Sequence, residues 1–228
     1  MSSQKELWVL PTLAIKLVRD MLNKKAASDD DFKKKRTNIK TRESWAAAIF
    51  ILRKILIDGD LWYLRKNDVE NSSDDIFARK FDFKDKAVYG SPIMPIQVMR
   101  ITEYSPKKVV DAIKTKFTDD LKGVSLVCHF LRDEAILWNE ISEEIINLEP
   151  NLNDITLIGN IGGNKFIVGQ VFPIKIITVV NLDLIKINAP AMIEAEEVHK
   201  QEDTGLTRLG EALLTTSMDV LPSKRTNT

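Results

Sequence analysis

Val124-Ser125-Leu126-Val127-Cys128-His129-Phe130 is a nearly continuous apolar run. A strand buried on both faces of a sheet reads this way. Ile155-Thr156-Leu157-Ile158 repeats the pattern, and Ile93 to Ile101 forms a third β-prone run upstream. Between these runs the apolar period changes to that of a helix. Ser105-Pro106 offers an N-cap followed by proline at the first helical position, and Val109, Val110, Ile113, Phe117 and Leu121 supply an apolar stripe that Gly123 ends. Leu137, Ile141, Ile145 and Leu148 mark a second amphipathic helix over 133–148. Strand, helix, strand, helix, strand across 94–158 requires two crossovers, and crossovers of that length join parallel strands.

Upstream, Leu13, Leu17, Val18, Met21 and Leu22 follow Pro11 at helical spacing. Ser28 and the acids after it can cap a second helix that carries Trp45, Ile49, Leu52 and Leu56 and stops at Gly59. Residues 61–64 and 76–83 read as strands, and Pro95 confines the strand over 93–101 to an edge or to its first residues. Downstream, Gly159 to Gly163 reads as a hairpin turn into Phe166-Ile167-Val168, and 174–181 is one more β-prone run. Leu206, Leu209, Leu213 and Leu214 suggest a helix in the tail. The expectation is an α/β fold with a central mixed β-sheet flanked by helices. Residues 1–28 would form a helical extension, 29–182 the core, and 183–228 a helical appendage with a polar tail.

The 228 residues are 44% hydrophobic and 29% charged, and 33 basic side chains balance 33 acidic ones. This composition excludes a disordered chain, a collagen and a disulfide scaffold. The single cysteine, Cys128, excludes an internal disulfide and a multi-cysteine zinc site. No apolar run approaches the roughly 18 residues of a bilayer span, so no membrane partner is expected. The first residues lack the features of a secretory signal, and a cytoplasmic protein is the natural expectation.

Balanced charge hides a local cluster: Lys33, Lys34, Lys35, Arg36, Lys40 and Arg42 follow Asp29, Asp30 and Asp31. The cluster suits either a solvated helix whose leading acids complement its dipole or a patch facing nucleic-acid phosphate. Gly159, Gly162 and Gly163 do not make a phosphate loop, because the spacing differs and a strand follows. Cys128 and His129 are adjacent on a strand and so point to opposite faces. They cannot form a nucleophilic pair with each other, and Cys128 reads as core. His129 stands near the end of its strand, where open α/β sheets place ligands. His199 with Glu196 has helical spacing for a metal but no further ligand nearby. Trp45 and Trp138 fall on apolar helix faces and read as core.

One constellation remains. Asp74-Asp75-Ile76 opens a strand, Ile96-Gln97-Val98-Met99-Arg100 lies on the next, and Glu43 sits on the preceding helix. A carboxylate at a strand start and an acceptor on the neighbouring strand can jointly hold a divalent cation, which polarises phosphate and activates water. Here the chain resembles the PD-(D/E)XK nuclease-like superfamily, the restriction-endonuclease fold, over about residues 29–130. That resemblance implies a core order of helix, three strands, helix, strand (αβββαβ), followed by further α/β elements. It places Asp75 at the metal-binding aspartate, with Asp74 where the proline would stand. Gln97 stands at the acidic position, Met99 at the lysine position, and Glu43 at the helix-borne glutamate. Alternation puts Gln97, Met99 and Ile101 on one face of the strand and Val98 and Arg100 on the other. Arg100 therefore does not replace the lysine, and Lys114 or Lys107 on the following helix would have to reach the site.

The resemblance implies a nuclease-like protein acting on DNA or RNA phosphodiesters with Mg²⁺. Asp75 and Gln97 would hold the metal, Glu43 and Lys114 would assist, and the Lys33–Arg42 cluster would contact phosphate. Met99 favours an alternative, a catalytically inactive member of the fold that binds nucleic acid or protein. A third reading is an unrelated α/β protein that binds a small ligand near His129. A homo-oligomer is left open.

Overall fold

In a computed structural model, the chain's described residues are 6–26, 36–66, 76–84, 87–195, 197–201, 207–209 and 213–215. The elements run β1 (Glu6–Val9), α1 (Pro11–Ala26), α2 (Arg36–Asp58), β2 (Trp62–Lys66), β3 (Ile76–Lys84), β4 (Ala87–Gly90) and β5 (Met94–Ile101). There follow α3 (Val109–Lys114), a 3-10 turn (Asp119–Leu121), β6 (Ser125–Phe130), α4 (Trp138–Asn147), β7 (Asp154–Asn160), β8 (Lys165–Phe172) and β9 (Ile176–Asn181). β10 (Met192–Ala195), β11 (Glu197–Gln201), β12 (Thr207–Leu209) and β13 (Leu213–Thr215) complete the chain. No helix among the described residues is long and apolar enough to cross a membrane.

The protein is α/β with one large, open, mixed sheet in the order β13-β10-β1-β2-β3-β5-β6-β7-β8-β9, while β4, β11 and β12 branch from β3. β5, β6 and β7 pair in parallel, as the two crossovers require, and the remaining pairs are antiparallel. Every residue of β6 is buried, which is why its sequence lacks alternation. The β7–β8 connection is the expected hairpin, with Gly162 and Gly163 at positive φ (105° and 60°) where a side chain would be strained.

Helices cover both faces. On one, α2 packs against Ile96, Val98, Val127, Ile158 and Val168, with α1 outside it. Residues Ala46 to Leu52 are buried without interruption, because a helix between another helix and a sheet is apolar all round. On the other face, α3 and α4 cover Leu126, Cys128, Ile155, Leu157 and Val171. Cys128 and His129 do point to opposite faces: Cys128 is in this second cluster, and the His129 ring lies 5.4 Å from that of Trp45 on α2.

Three expectations are corrected. The helix expected over Ser105–Leu121 is reduced to α3, Val109–Lys114. Arg132 is the reason: its guanidinium donates to the carbonyls of Thr102, Ser105, Pro106 and Lys107, and a helix begun at Ser105 would need the last three for its own ladder. Ser105 instead closes a turn, its Oγ accepting from the Thr102 amide at 3.0 Å. Secondly, the tail pattern around Leu209 and Leu213 forms strands, since β12 finds β4 and β13 finds β10. The stretch around His199 is likewise strand β11 rather than helix. Thirdly, β1 at the amino-terminal end and β10 beyond residue 183 pair with each other inside the main sheet, which no local pattern announced.

Candidate phosphate cleft at the open edge of β5

β3 accompanies β5 only at its beginning: Ala78 opposes Met94, Phe77 opposes Pro95 and Ile76 opposes Ile96. Pro95 is thus tolerated near the strand start. From Gln97 onward, β5 has no partner strand on that side among the described residues. A cleft of about 360 Å³ opens there. Val98, Met99, Arg100 and Thr102 form its strand side, Ser105 and Pro106 its loop side, and Ala112, Thr115 and Lys116 its helix side. The Arg132 hydrogen bonds hold the loop side in place, with its Nε donating to Thr102 O at 2.9 Å and its Nη2 to Ser105 O at 2.9 Å.

Of the expected site residues, the structure describes the side chains of Glu43, Gln97 and Lys114. Asp74 and Asp75 lie outside the described residues, as do Lys33, Lys34 and Lys35. Arg36, Lys40 and Arg42 fall on the first turns of α2, and their side chains also lie outside. Gln97 shares the α3/α4 face with Met99 and Ile101, and its Oε1 is buried with no hydrogen-bond partner among the described residues. Glu43 is half-buried on α2, across the sheet from Gln97. Lys114 forms an ion pair with Asp111 on its own helix at 3.6 Å and does not line the cleft. Lys107 is exposed and contributes its carbonyl to Arg132.

Two cations line the cleft, Arg100 and Lys116, and Lys116 is a residue the sequence reading passed over. Lys116 follows the end of α3 and lines the same cleft as Met99. Its charge is felt by the Cys128 thiol on the adjacent strand. Burial pushes that thiol's pKa far up and the Lys116 charge pulls it down by less, so the thiol stays protonated at neutral pH and is no nucleophile. Helical periodicity drawn through to Leu121 would have hidden this placement; the cue was Thr115-Lys116 at the edge of the apolar stripe. Among the described residues, no group of three His, Cys, Asp or Glu side chains could hold a metal ion.

A second polar cluster, also unforeseen, lies under α2. Arg53 is 3% exposed and Asp154 6%. Asp154 Oδ2 accepts from Ser125 Oγ at 2.8 Å and from Asn153 Nδ2 at 3.1 Å. Arg53 donates to Ile176 O at 3.2 Å and to Gln170 Oε1 at 3.4 Å. Burial raises the Asp154 carboxyl above its ordinary pKa, while the hydrogen bonds and the charges of Lys54 and Arg53 pull the other way. Its buried surroundings and its place on the α2 face separate this cluster from the cleft on β5.

Comparisons with protein-family models, with curated proteins and with solved structures return no match to the chain.

Proposed function

We propose that the chain is a nuclease-like protein whose cleft at the open edge of β5 takes nucleic-acid phosphate, with binding rather than hydrolysis as its activity. The observation that carries this reading is the meeting of Arg100 and Lys116 with Thr102, Ser105 and Thr115 around one opening that no carboxylate among the described residues lines. Cationic and hydroxyl donors of this kind suit phosphate oxygens. The element order supports a restriction-endonuclease-like core. Helix α2, the antiparallel strands β2, β3 and β5, helix α3 and the parallel strand β6 follow in the expected succession, with the short β4 between β3 and β5. Met99 stands in the cleft where a proton-handling lysine would be needed, which favours binding without cleavage.

A second reading, Mg²⁺-dependent phosphodiester hydrolysis, is favoured by one observation: Gln97 Oε1 is a buried acceptor without a partner among the described residues. In that reading Asp75 and Gln97 hold the ion, and Lys116 takes the place expected of Lys114. A divalent ion there supplies polarisation of the phosphate and activation of water.

Fluorescence anisotropy with labelled single-stranded and duplex DNA, at low salt and in EDTA, tests the proposal. Binding should need no metal. Lys116→Ala should weaken it about tenfold and reduce the slope of log K against log salt by about 0.7–0.9, the share of one phosphate contact. No binding of either DNA in EDTA would overturn it. Cleavage in Mg²⁺ that Asp75→Ala abolishes would establish the second reading instead.

A further inference from the structure

Tyr104 is the most exposed large apolar or aromatic side chain among the described residues, at 97%. The next, Leu184, is at 76%. Tyr104 stands in the turn between Thr102 and Ser105, and both of those residues line the cleft.

The fold fixes this turn firmly. The Ser105 amide donates to Thr102 O at 3.0 Å, and the Thr102 amide donates to Ser105 Oγ at 3.0 Å. Arg132, whose side chain is 7% exposed, donates to Thr102 O and to Ser105 O at 2.9 Å each. The backbone on either side of Tyr104 is therefore held in advance of any ligand. A tyrosine on such a backbone has only two side-chain torsions left to order, so covering its ring costs little entropy.

The occupant is named by what stands beside the ring. Arg100 and Lys116 line the neighbouring cleft with the hydroxyls of Thr102, Ser105 and Thr115, a set that suits phosphate. Lys107, exposed and three residues beyond Tyr104, adds another cation. Glu103, the turn's one carboxylate, is outnumbered there. A ligand that matches an uncovered aromatic face beside cations carries a planar ring and an anion a short distance apart. A nucleotide has both. Bases in a duplex are stacked on one another, whereas an unpaired strand can splay a base onto a side chain.

We infer that Tyr104 is a base-stacking platform and that the form of nucleic acid taken at the cleft is a single strand. The inference rests on the reading of the cleft as a phosphate site and adds the strand type to it. Every base has a π-face, so recognition by this ring tolerates sequence.

Fluorescence anisotropy at low salt in EDTA, with three labelled probes of equal length, tests the inference. The probes are oligothymidylate, the same strand made wholly abasic, and a duplex. Wild type should bind oligothymidylate about tenfold more tightly than the abasic strand, which has the same phosphates and no bases. Tyr104→Ala should remove that advantage and leave the abasic strand, the duplex and the salt slope unchanged. Tyr104→Trp should restore it. Lys116→Ala should weaken all three probes, because it removes a phosphate contact. If Tyr104→Ala binds oligothymidylate as tightly as wild type while Lys116→Ala weakens every probe, the inference fails and the phosphate cleft stands. An equal loss on all three probes in Tyr104→Ala would also overturn it, by marking a damaged turn instead of a lost stacking face. No binding of any probe by wild type would overturn the cleft reading and this inference with it.

Discussion

The two faces of the sheet solve the same packing problem with different chemistry. Under α2 the buried layer includes Arg53, Asp154, Ser125, Thr156 and the half-buried Gln170. Under α3 and α4 it is built from Leu126, Cys128, Ile155, Leu157 and Val171, with no charged member. The difference follows from the covering helices. α2 is 23 residues long, and its buried stretch reaches Arg53, a guanidinium that cannot shed its proton. Acceptors must gather beneath it, because an unpaired buried charge costs far more than a paired one. α3 and α4, of 6 and 10 residues, bury apolar side chains and stop short, so the polar groups at the end of β5 face an opening instead of a core. On the closed face Arg53, Asp154 and Ser125 find hydrogen-bond partners within the fold, whereas the polar groups at the end of β5 line an opening.

The sharpest way to break this contrast is to remove the charge from the closed face. Arg53→Ala should lower unfolding free energy by about 3–5 kcal/mol in a urea titration, while Arg53→Met, which keeps the volume and removes the charge, should lose less. A loss for Arg53→Ala under about 1 kcal/mol would mean that the guanidinium does not organise that face.

The apolar face is tested by volume. A Cβ built on Gly169 would fall well inside contact distance of the Trp138 ring. Gly169→Ala should therefore cost about 1–3 kcal/mol, and adding Trp138→Leu should recover part of it. Additive losses in the double variant would show that the ring is not what holds Gly169 in place.

The titration of Asp154 sharpens the contrast further. Folding raises its pKa above the ordinary 3.8, so the native state holds the proton more tightly than the unfolded chain does. The contribution is complete below that ordinary value and is lost as pH rises through the folded pKa. Asp154→Asn removes this dependence, so the variant should gain on wild type as pH is raised across that window. Thermal melts at several pH values would show it, and parallel curves for the two proteins would contradict the assignment.

The smallest expected effect on stability belongs to the open face. Lys116→Ala should leave unfolding free energy within about 0.5 kcal/mol of wild type, because its side chain makes no hydrogen bond or ion pair among the described residues. Its effect should appear in phosphate binding alone. A large loss of stability would make Lys116 a structural residue and remove it from the cleft's chemistry.

Much of the central fold was legible. β6 and β7 announced themselves as strands buried on both sides, the intervening helical periods required parallel pairing, and the opposed faces of Cys128 and His129 followed from strand alternation. Those signals are local: each depends on residues close in sequence. The length of α3 was not legible, because Arg132, many residues downstream, captures the carbonyls that a helix from Ser105 would use. The strands near Leu209 and Leu213 were misread as helix for a related reason. Their leucine spacing fits a helix, and the partners that make them strands, β4 and β10, lie elsewhere in the chain. The candidate site was half legible. Gln97 and Met99 were assigned to one face by alternation, while Lys116 could be placed only after α3 was known to be short.

The sequence by itself determined the α/β class, the parallel centre and which side of each strand its residues occupy, since periods of two and 3.6 are properties of the backbone. Tertiary structure decided which strands close the sheet, where β5 lacks a partner strand among the described residues and that Lys116 lines the same cleft as Met99. Those outcomes depend on contacts between residues far apart in the chain, and such contacts leave no period in the sequence.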